Sequence, residues 1–215
     1  MICVAISDKD YRKCLTLLQE VDMAEIRLDL TDFDNEIIGL VFTQDIPLIA
    51  TCRPEKVGLN VQQTRLKKAI ESGAKYVDIE IEAPEKQRKE LIEYARKKDC
   101  KVIISYHNYE ETPGMRELFA IADECYKLGA DIAKIATMVN SSSDNARIMS
   151  LYSVEKPIVA LGMGALGKVT RIAAPLFGAE FTFAADDSGK ETAPGQIAYS
   201  SMKELFEKIS NTMNG

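Results

Sequence analysis

Residues 100–138 read CKVIISYHNYEETPGMRELFAIADECYKLGADIAKIATM. A β-branched apolar run leads into Ser105-Tyr106-His107. A polar stretch with helical apolar spacing then starts after Pro113 and stops at Gly129. A second apolar run, broken only by Lys134, closes the segment. Short β-branched runs read as strands, and the amphipathic stretch between them reads as a helix. Pro113 sits where a helix starts, and Gly129 where a helix-terminating glycine is expected. The segment is therefore one β/α/β unit, with strands over 100–107 and 131–138 and a helix over 114–129.

The same rhythm extends in both directions. Further strands are expected over 2–7, 24–30, 47–53, 76–81, 157–163 and 180–185. Helices are expected over about 9–21, 34–43, 60–73, 85–98, 142–153, 168–177 and 196–213. Pro84 and Gly73 punctuate two of them, and Asp144 with the serines before it offers a cap for a third. Eight β/α units in 215 residues fit a single-domain (β/α)8 TIM barrel spanning 1–215. An open doubly wound sheet would need a glycine fingerprint after its first strand. Ser7-Asp8-Lys9-Asp10 stands there and contains no glycine.

Composition narrows the function. Lys and Arg number 27 against 33 Asp and Glu, a net charge of −6. No basic stripe marks a nucleic-acid surface. An acidic balance still leaves room for a cationic pocket and a small anionic substrate. No apolar stretch approaches the roughly 20 residues that span a bilayer, and the run Ile2–Ile6 is too short for a signal-peptide core. The five cysteines are scattered, odd in number and without a CxxC pair. That points away from disulfides and zinc and toward a reduced, cytoplasmic protein.

The informative anomaly is charge inside strands. Outward faces of barrel strands pack on helices and are apolar, so alternation sends the polar residues inward. Glu25 and Arg27 on strand two, Arg53 ending strand three, and Asp78 and Glu80 on strand four all fall on this face. So do Ser105 and His107 on strand five, and Lys134 on strand six. A barrel interior normally holds branched apolar side chains, and active sites gather at the strand C-termini. Burial and neighbouring cations should lower the pKa of Lys134 and expose a nucleophilic amine suited to imine formation. The alternative is a structural ion pair with Asp78 or Glu80. His107, the sole histidine, suits general acid–base work better than metal binding.

Two loops complete the set. Gly162-Met163-Gly164-Ala165-Leu166-Gly167 brings backbone close to some partner, and barrels often bind phosphate at this point. Arg171 follows on a helix start, where it either clamps a carboxylate or phosphate or lies on the surface. Residues 186–195, leading into Gln196, have the length and polarity of a lid or of a plain solvent loop.

These residues converge on a known pattern. Glu25-Ile26-Arg27-Leu28-Asp29, Thr51-Cys52-Arg53 and Tyr76-Val77-Asp78-Ile79-Glu80 occur in order. Ser105-Tyr106-His107-Asn108-Tyr109, Lys134-Ile135-Ala136, Gly162-Met163-Gly164, Arg171 and Ala193-Pro194-Gly195-Gln196 follow. Over essentially its whole length the chain resembles the type I 3-dehydroquinate dehydratases, the lyases of the shikimate pathway. The resemblance implies dehydration of 3-dehydroquinate to 3-dehydroshikimate, with Lys134 forming an imine and His107 moving protons in a syn elimination. It implies that Arg171 holds the substrate carboxylate while Thr192 and Gln196 close the lid. Glu25, Arg27 and Arg53 would bind ring hydroxyls, and Met163 and Tyr109 would form apolar walls. It further implies no metal or organic cofactor, and a homodimer. Many members carry a glutamate four residues after the strand-three arginine, where this chain has Val57. The carboxylate that orients His107 must then come from elsewhere, with Asp78 and Glu80 as candidates. Thr170 and Thr192 replace serines and keep the hydroxyl. The alternatives are a class I aldolase acting on a sugar phosphate, or a non-catalytic barrel that binds a small anion.

Overall fold

The computed structural model describes residues 1–188 and 191–213. Gly189 and Lys190, within the predicted lid, and the last two residues lie outside the described residues. Eight parallel strands form one sheet in the order β7-β6-β5-β4-β3-β2-β1-β8. They are β1 (Ile2–Ile6), β2 (Ala24–Arg27), β3 (Leu48–Thr51), β4 (Tyr76–Glu80), β5 (Lys101–Asn108), β6 (Ile132–Met138), β7 (Ile158–Met163) and β8 (Thr182–Ala185). Among the described residues no ladder joins β7 to β8. One bond from the Glu180 N–H to the Ile158 carbonyl, 3.4 Å, bridges that seam at its start. The architecture is the nearly closed (β/α)8 barrel that the alternation predicted.

Nine helices are present among the described residues: α1 (Tyr11–Leu18), α2 (Asn35–Phe42), α3 (Pro54–Val57), α4 (Leu59–Glu71), α5 (Glu85–Lys97), α6 (Met115–Lys127), α7 (Ser142–Ser150), α8 (Lys168–Ala173) and α9 (Tyr199–Met213). The predicted capping of α7 is a full capping box, with Ser141 and Asp144 bonding each other's backbone. Departures from the expected boundaries have local causes. Strand two ends at Arg27, not residue 30, because the Leu30 N–H closes a turn onto the Arg27 carbonyl. The short α3, unforeseen, starts on Pro54, whose missing N–H costs nothing at a first helical position. The stretch 168–177 tightens to 3-10 geometry from Ala174, where Pro175 cannot continue the α-helical bonding.

Alternation divides the barrel into two apolar regions. Outward residues such as Val4, Ile26, Val77, Ile104 and Ile135 pack with the helices in the larger core. Inward residues near the strand N-termini form a second core, including Cys3, Ile49, Tyr76, Ile103, Ile132 and Phe181. That plug fills the lower barrel. The next inward positions carry Glu25, Thr51, Asp78, Ser105 and Lys134, all buried. One step further toward the strand C-termini stand Arg27, Arg53, Glu80 and His107. The charges are thus stacked in two layers on an apolar floor.

Candidate active site

Lys134 lies at the centre. Its Nζ donates to Asp78 Oδ2 at 2.9 Å and to Glu25 Oε1 at 3.2 Å, and stands 4.3 Å from the centroid of the Phe183 ring. The strand register sets Ser105 opposite Lys134. Ser105 Oγ donates to Asp78 Oδ1 at 2.6 Å, and Arg53 Nη2 reaches the same oxygen at 3.0 Å. Thr51 Oγ1 donates to Glu25 Oε1 at 2.8 Å. Arg53 Nε also faces Glu80 at 3.6 Å. Every carboxylate in the lower layer is matched by a cation and a hydroxyl, as buried charge requires.

The electrostatics follow from these distances, and they correct one expectation. Burial opposes the Lys134 charge most strongly, but Asp78 and Glu25 together outweigh burial and the repulsion of Arg53. The lysine pKa is therefore raised, not lowered. Of the two readings of Lys134 the structure shows the ion pair, with Asp78 and Glu25 as partners in place of Glu80. Burial also works against the Asp78 charge, yet Arg53 and Lys134 hold this carboxyl well below the usual range. His107 is pushed well below its ordinary value by burial, with Arg53 and Lys134 adding to the effect against Asp78. The resting imidazole is therefore neutral.

A cleft opens above Lys134. Glu25, Arg27, Arg53, His107, Tyr109, Lys134, Arg171, Thr192 and Gln196 all line it, so the structure brings together most of the predicted set. Asp78 lies beneath the cleft, and Glu80 lies beside it. Met163, expected as an apolar wall, is fully buried at the end of β7 and does not line the cleft. Leu161, two residues earlier on the same strand face, takes that place with Phe183 and Ala136. Sequence reasoning passed over Thr51, Leu161 and Phe183. The inward parity of strands three, seven and eight carried the signal for each.

Arg171 is a buried cation in search of an anion. It is only 2% exposed, its Nε has no partner, and Nη2 makes a single 3.4 Å bond to the Pro194 carbonyl. Burial, opposed only by Glu191, brings its pKa down to about 10. Arg53 Nη1 is likewise buried and unpartnered. Both guanidiniums keep donors in reserve, which suits a carboxylate or hydroxyl ligand.

Residues 192–196, at the end of the expected lid, are tied to this wall. Gln196 Oε1 accepts from the Thr192 N–H at 2.7 Å and from the Ala193 N–H at 3.4 Å. Arg27 donates to the Thr192 carbonyl at 3.3 Å and forks onto Asp29 at 2.8 and 3.1 Å. The glycines at and after the end of β7 approach the chain itself. A Cβ on Gly162 would fall 2.9 Å from the Gly167 Cα, and one on Gly195 would fall 2.8 Å from the Gly164 carbonyl carbon. The Gly164 N–H binds the Pro194 carbonyl at 3.1 Å, which docks the lid on the β7 loop. Among the described residues, no group of three His, Cys, Asp or Glu could hold a metal ion. No described helix is long and apolar enough to cross a membrane.

Known proteins resemble this chain over its full length. The 3-dehydroquinate dehydratase of Methanococcus vannielii is 38% identical over 97% of this chain and the full length of its own. That of Methanococcus maripaludis strain C5 is 37% identical with the same coverage. The crystal structure of the 3-dehydroquinate dehydratase from Aquifex aeolicus superimposes with a TM-score of 0.83 at 30% identity, covering 97% of this chain and 98% of that one. The sequence profile of the type I 3-dehydroquinases matches residues 2–213. With the lysine, the lone histidine and the buried arginine around one cleft, and with full-length likeness in sequence and fold, the chain belongs to the type I 3-dehydroquinase family.

Proposed function

We propose that this protein dehydrates 3-dehydroquinate to 3-dehydroshikimate through an imine on Lys134. The observation that carries this is the grouping of Lys134, neutral His107 and unpaired Arg171 around one cleft. Arg171 takes the carboxylate bidentately, which places the ring ketone over Lys134. The resting lysine is charged and must lose a proton before it attacks. His107, one inward layer above it, is the base at hand. Lys134 Nζ then bonds to the carbonyl carbon, and that oxygen leaves as water with one proton from the amine and the proton that His107 holds, which returns the imidazole to its neutral form. The cationic imine draws electrons from the adjacent C–H bond. His107 takes this proton and returns it to the departing hydroxyl on the same face, so the second water leaves and a conjugated double bond forms. Hydrolysis of the imine frees the product and restores the amine. Asp78 remains ionised throughout and balances the cations that form above it. Glu25, Arg27 and Arg53 hold ring hydroxyls, while Leu161, Phe183 and Tyr109 press on the ring.

Borohydride added with 3-dehydroquinate tests this reading. A covalent mass at Lys134 that disappears in Lys134→Ala is the expected result, alongside ultraviolet absorbance of the enone in untreated reactions. No adduct, or an adduct that survives the substitution, overturns it. The sugar-phosphate aldolase and the anion-binding barrel are not favoured, since the full-length relatives are dehydratases. A homodimer in a reducing cytoplasm completes the proposal. Five free, buried cysteines and the exposed apolar side chains Leu166, Val169, Leu176 and Phe177 support it.

A further inference from the structure

His107 stands in the wall between two cavities. One is the cleft above Lys134. The other is an adjoining cleft lined by Glu55, Gln62, Glu80, Glu82, Tyr109 and His107 itself. The imidazole stacks on Tyr109, with ring centroids 6.1 Å apart at 14°. Among the described residues no hydrogen bond reaches either ring nitrogen, so nothing in the catalytic cleft fixes its tautomer. Val57 packs against the apolar core.

Asp78 is fully committed elsewhere. Its Oδ1 accepts from Ser105 and Arg53 and its Oδ2 from Lys134. Glu80 is not committed. Its one contact is the 3.6 Å approach of Arg53 Nε, and its side chain is 21% exposed, toward the second cleft. On the β4–β5 ladder Glu80 pairs with Ser105, which puts it one inward step diagonally from His107. That is a spacing long side chains can bridge. Glu55 and Glu82 border the same cleft but are exposed.

We infer that Glu80 is the positioning residue for His107: through the second cleft its carboxylate holds the outward ring N–H, directly or through one water, and steadies the imidazolium formed during turnover. A base oriented in this way keeps its other nitrogen bare toward the substrate. The charged and titratable groups around His107 are Arg53 from the end of β3, Asp78 and Glu80 from β4, Lys134 from β6, Arg27 from β2, Tyr109 beyond β5, and Glu55 and Glu82 at the rim. The cations among them disfavour the imidazolium, and Glu80 is the uncommitted carboxylate able to offset them. Burial, with Glu55, Asp78 and Glu82 opposing Arg53, raises the Glu80 carboxyl pKa.

The kinetic arm of this inference rests on the dehydration reading; the spectroscopic arm does not. His107 is the sole histidine, so its titration in untagged protein labelled with 15N-histidine is read without assignment. In Glu80→Gln the apparent His107 pKa should fall by at least about 0.5. With 3-dehydroquinate, kcat should fall about tenfold while KM stays within about twofold. Glu80→Asp should recover part of both, and Glu55→Gln should change neither. An unmoved His107 titration in Glu80→Gln, or an equal effect from Glu55→Gln, overturns the inference. Should Glu80→Gln not fold, the wild-type ring nitrogens decide. One fixed tautomer supports the inference, and two averaging nitrogens overturn it. Absence of turnover in wild type would count against the dehydration reading alone.

Discussion

Asp78 and Lys134, 56 residues apart in sequence, meet at 2.9 Å on the apolar floor of the barrel. The contact spans two strands of the sheet, because β5 and its Ser105 lie between them. It gives the reactive amine two states. Unliganded, the amine is held as an ammonium by Asp78 and Glu25. Once it becomes a protonated imine, its charge keeps the same carboxylate partner.

This pairing predicts the behaviour of Asp78→Asn. Removing the carboxylate leaves Lys134 and Arg53 short of a buried counter-charge, which should cost about 3–5 kcal/mol of stability. It should also lower the lysine pKa, because the largest attraction offsetting burial is removed. The pH dependence of borohydride trapping should then shift toward lower pH, even as kcat falls. A trapping profile unchanged from wild type would show that Asp78 does not set the amine.

Stability should fall in two stages on acidification. His107 has a folded pKa below its unfolded value of about 6.5, so its contribution is lost as pH falls below that point. Asp78 has a depressed folded pKa, so its contribution is complete above the unfolded value of about 3.9 and is lost as pH falls further. Urea midpoints measured from pH 8 to pH 3 should show both stages. His107→Gln should remove the upper one and leave the lower intact.

Arg171→Met should separate binding from folding. The guanidinium is buried with a free Nε and a pKa brought down to about 10, so its charge burdens the empty protein. An apolar side chain of similar length should leave the unliganded Tm equal or higher. The lost carboxylate clamp should raise KM about 100-fold, the worth of a bidentate charge-assisted pair. A large fall in unliganded Tm would contradict this account.

Gly162→Ala should loosen the lid. The added methyl would meet the Gly167 backbone at 2.9 Å and Thr170 Oγ1 at 3.2 Å, and Thr170 already bonds the Gly162 N–H at 2.7 Å. Overpacking of this kind costs about 1–3 kcal/mol, which corresponds to a Tm lower by about 2–10 °C in a domain of this size. Differential scanning calorimetry checks the first effect. A raised KM, from displacement of the Gly164–Pro194 bond, checks the second.

Strand alternation in the sequence determined much of this protein. It set the eight β/α units, the inward face of each strand, and hence the gathering of Lys134, His107, Arg27 and Arg53 in one barrel. A strand repeats every two residues whatever its surroundings, so parity is legible locally. Tertiary structure alone decided height and pairing. Which inward residues share a layer depends on the register between strands, and register placed Leu161, not Met163, on the cleft wall. It also decided the charge of Lys134. A pKa sums burial against charges at particular distances across the barrel, and the 2.9 and 3.2 Å approaches of Asp78 and Glu25 belong to strands far apart in sequence. The glycines after β7 followed the same logic. Their spacing announced a close approach, and only the folded chain showed that Gly162 and Gly167 meet each other while Gly164 meets Pro194 and Gly195.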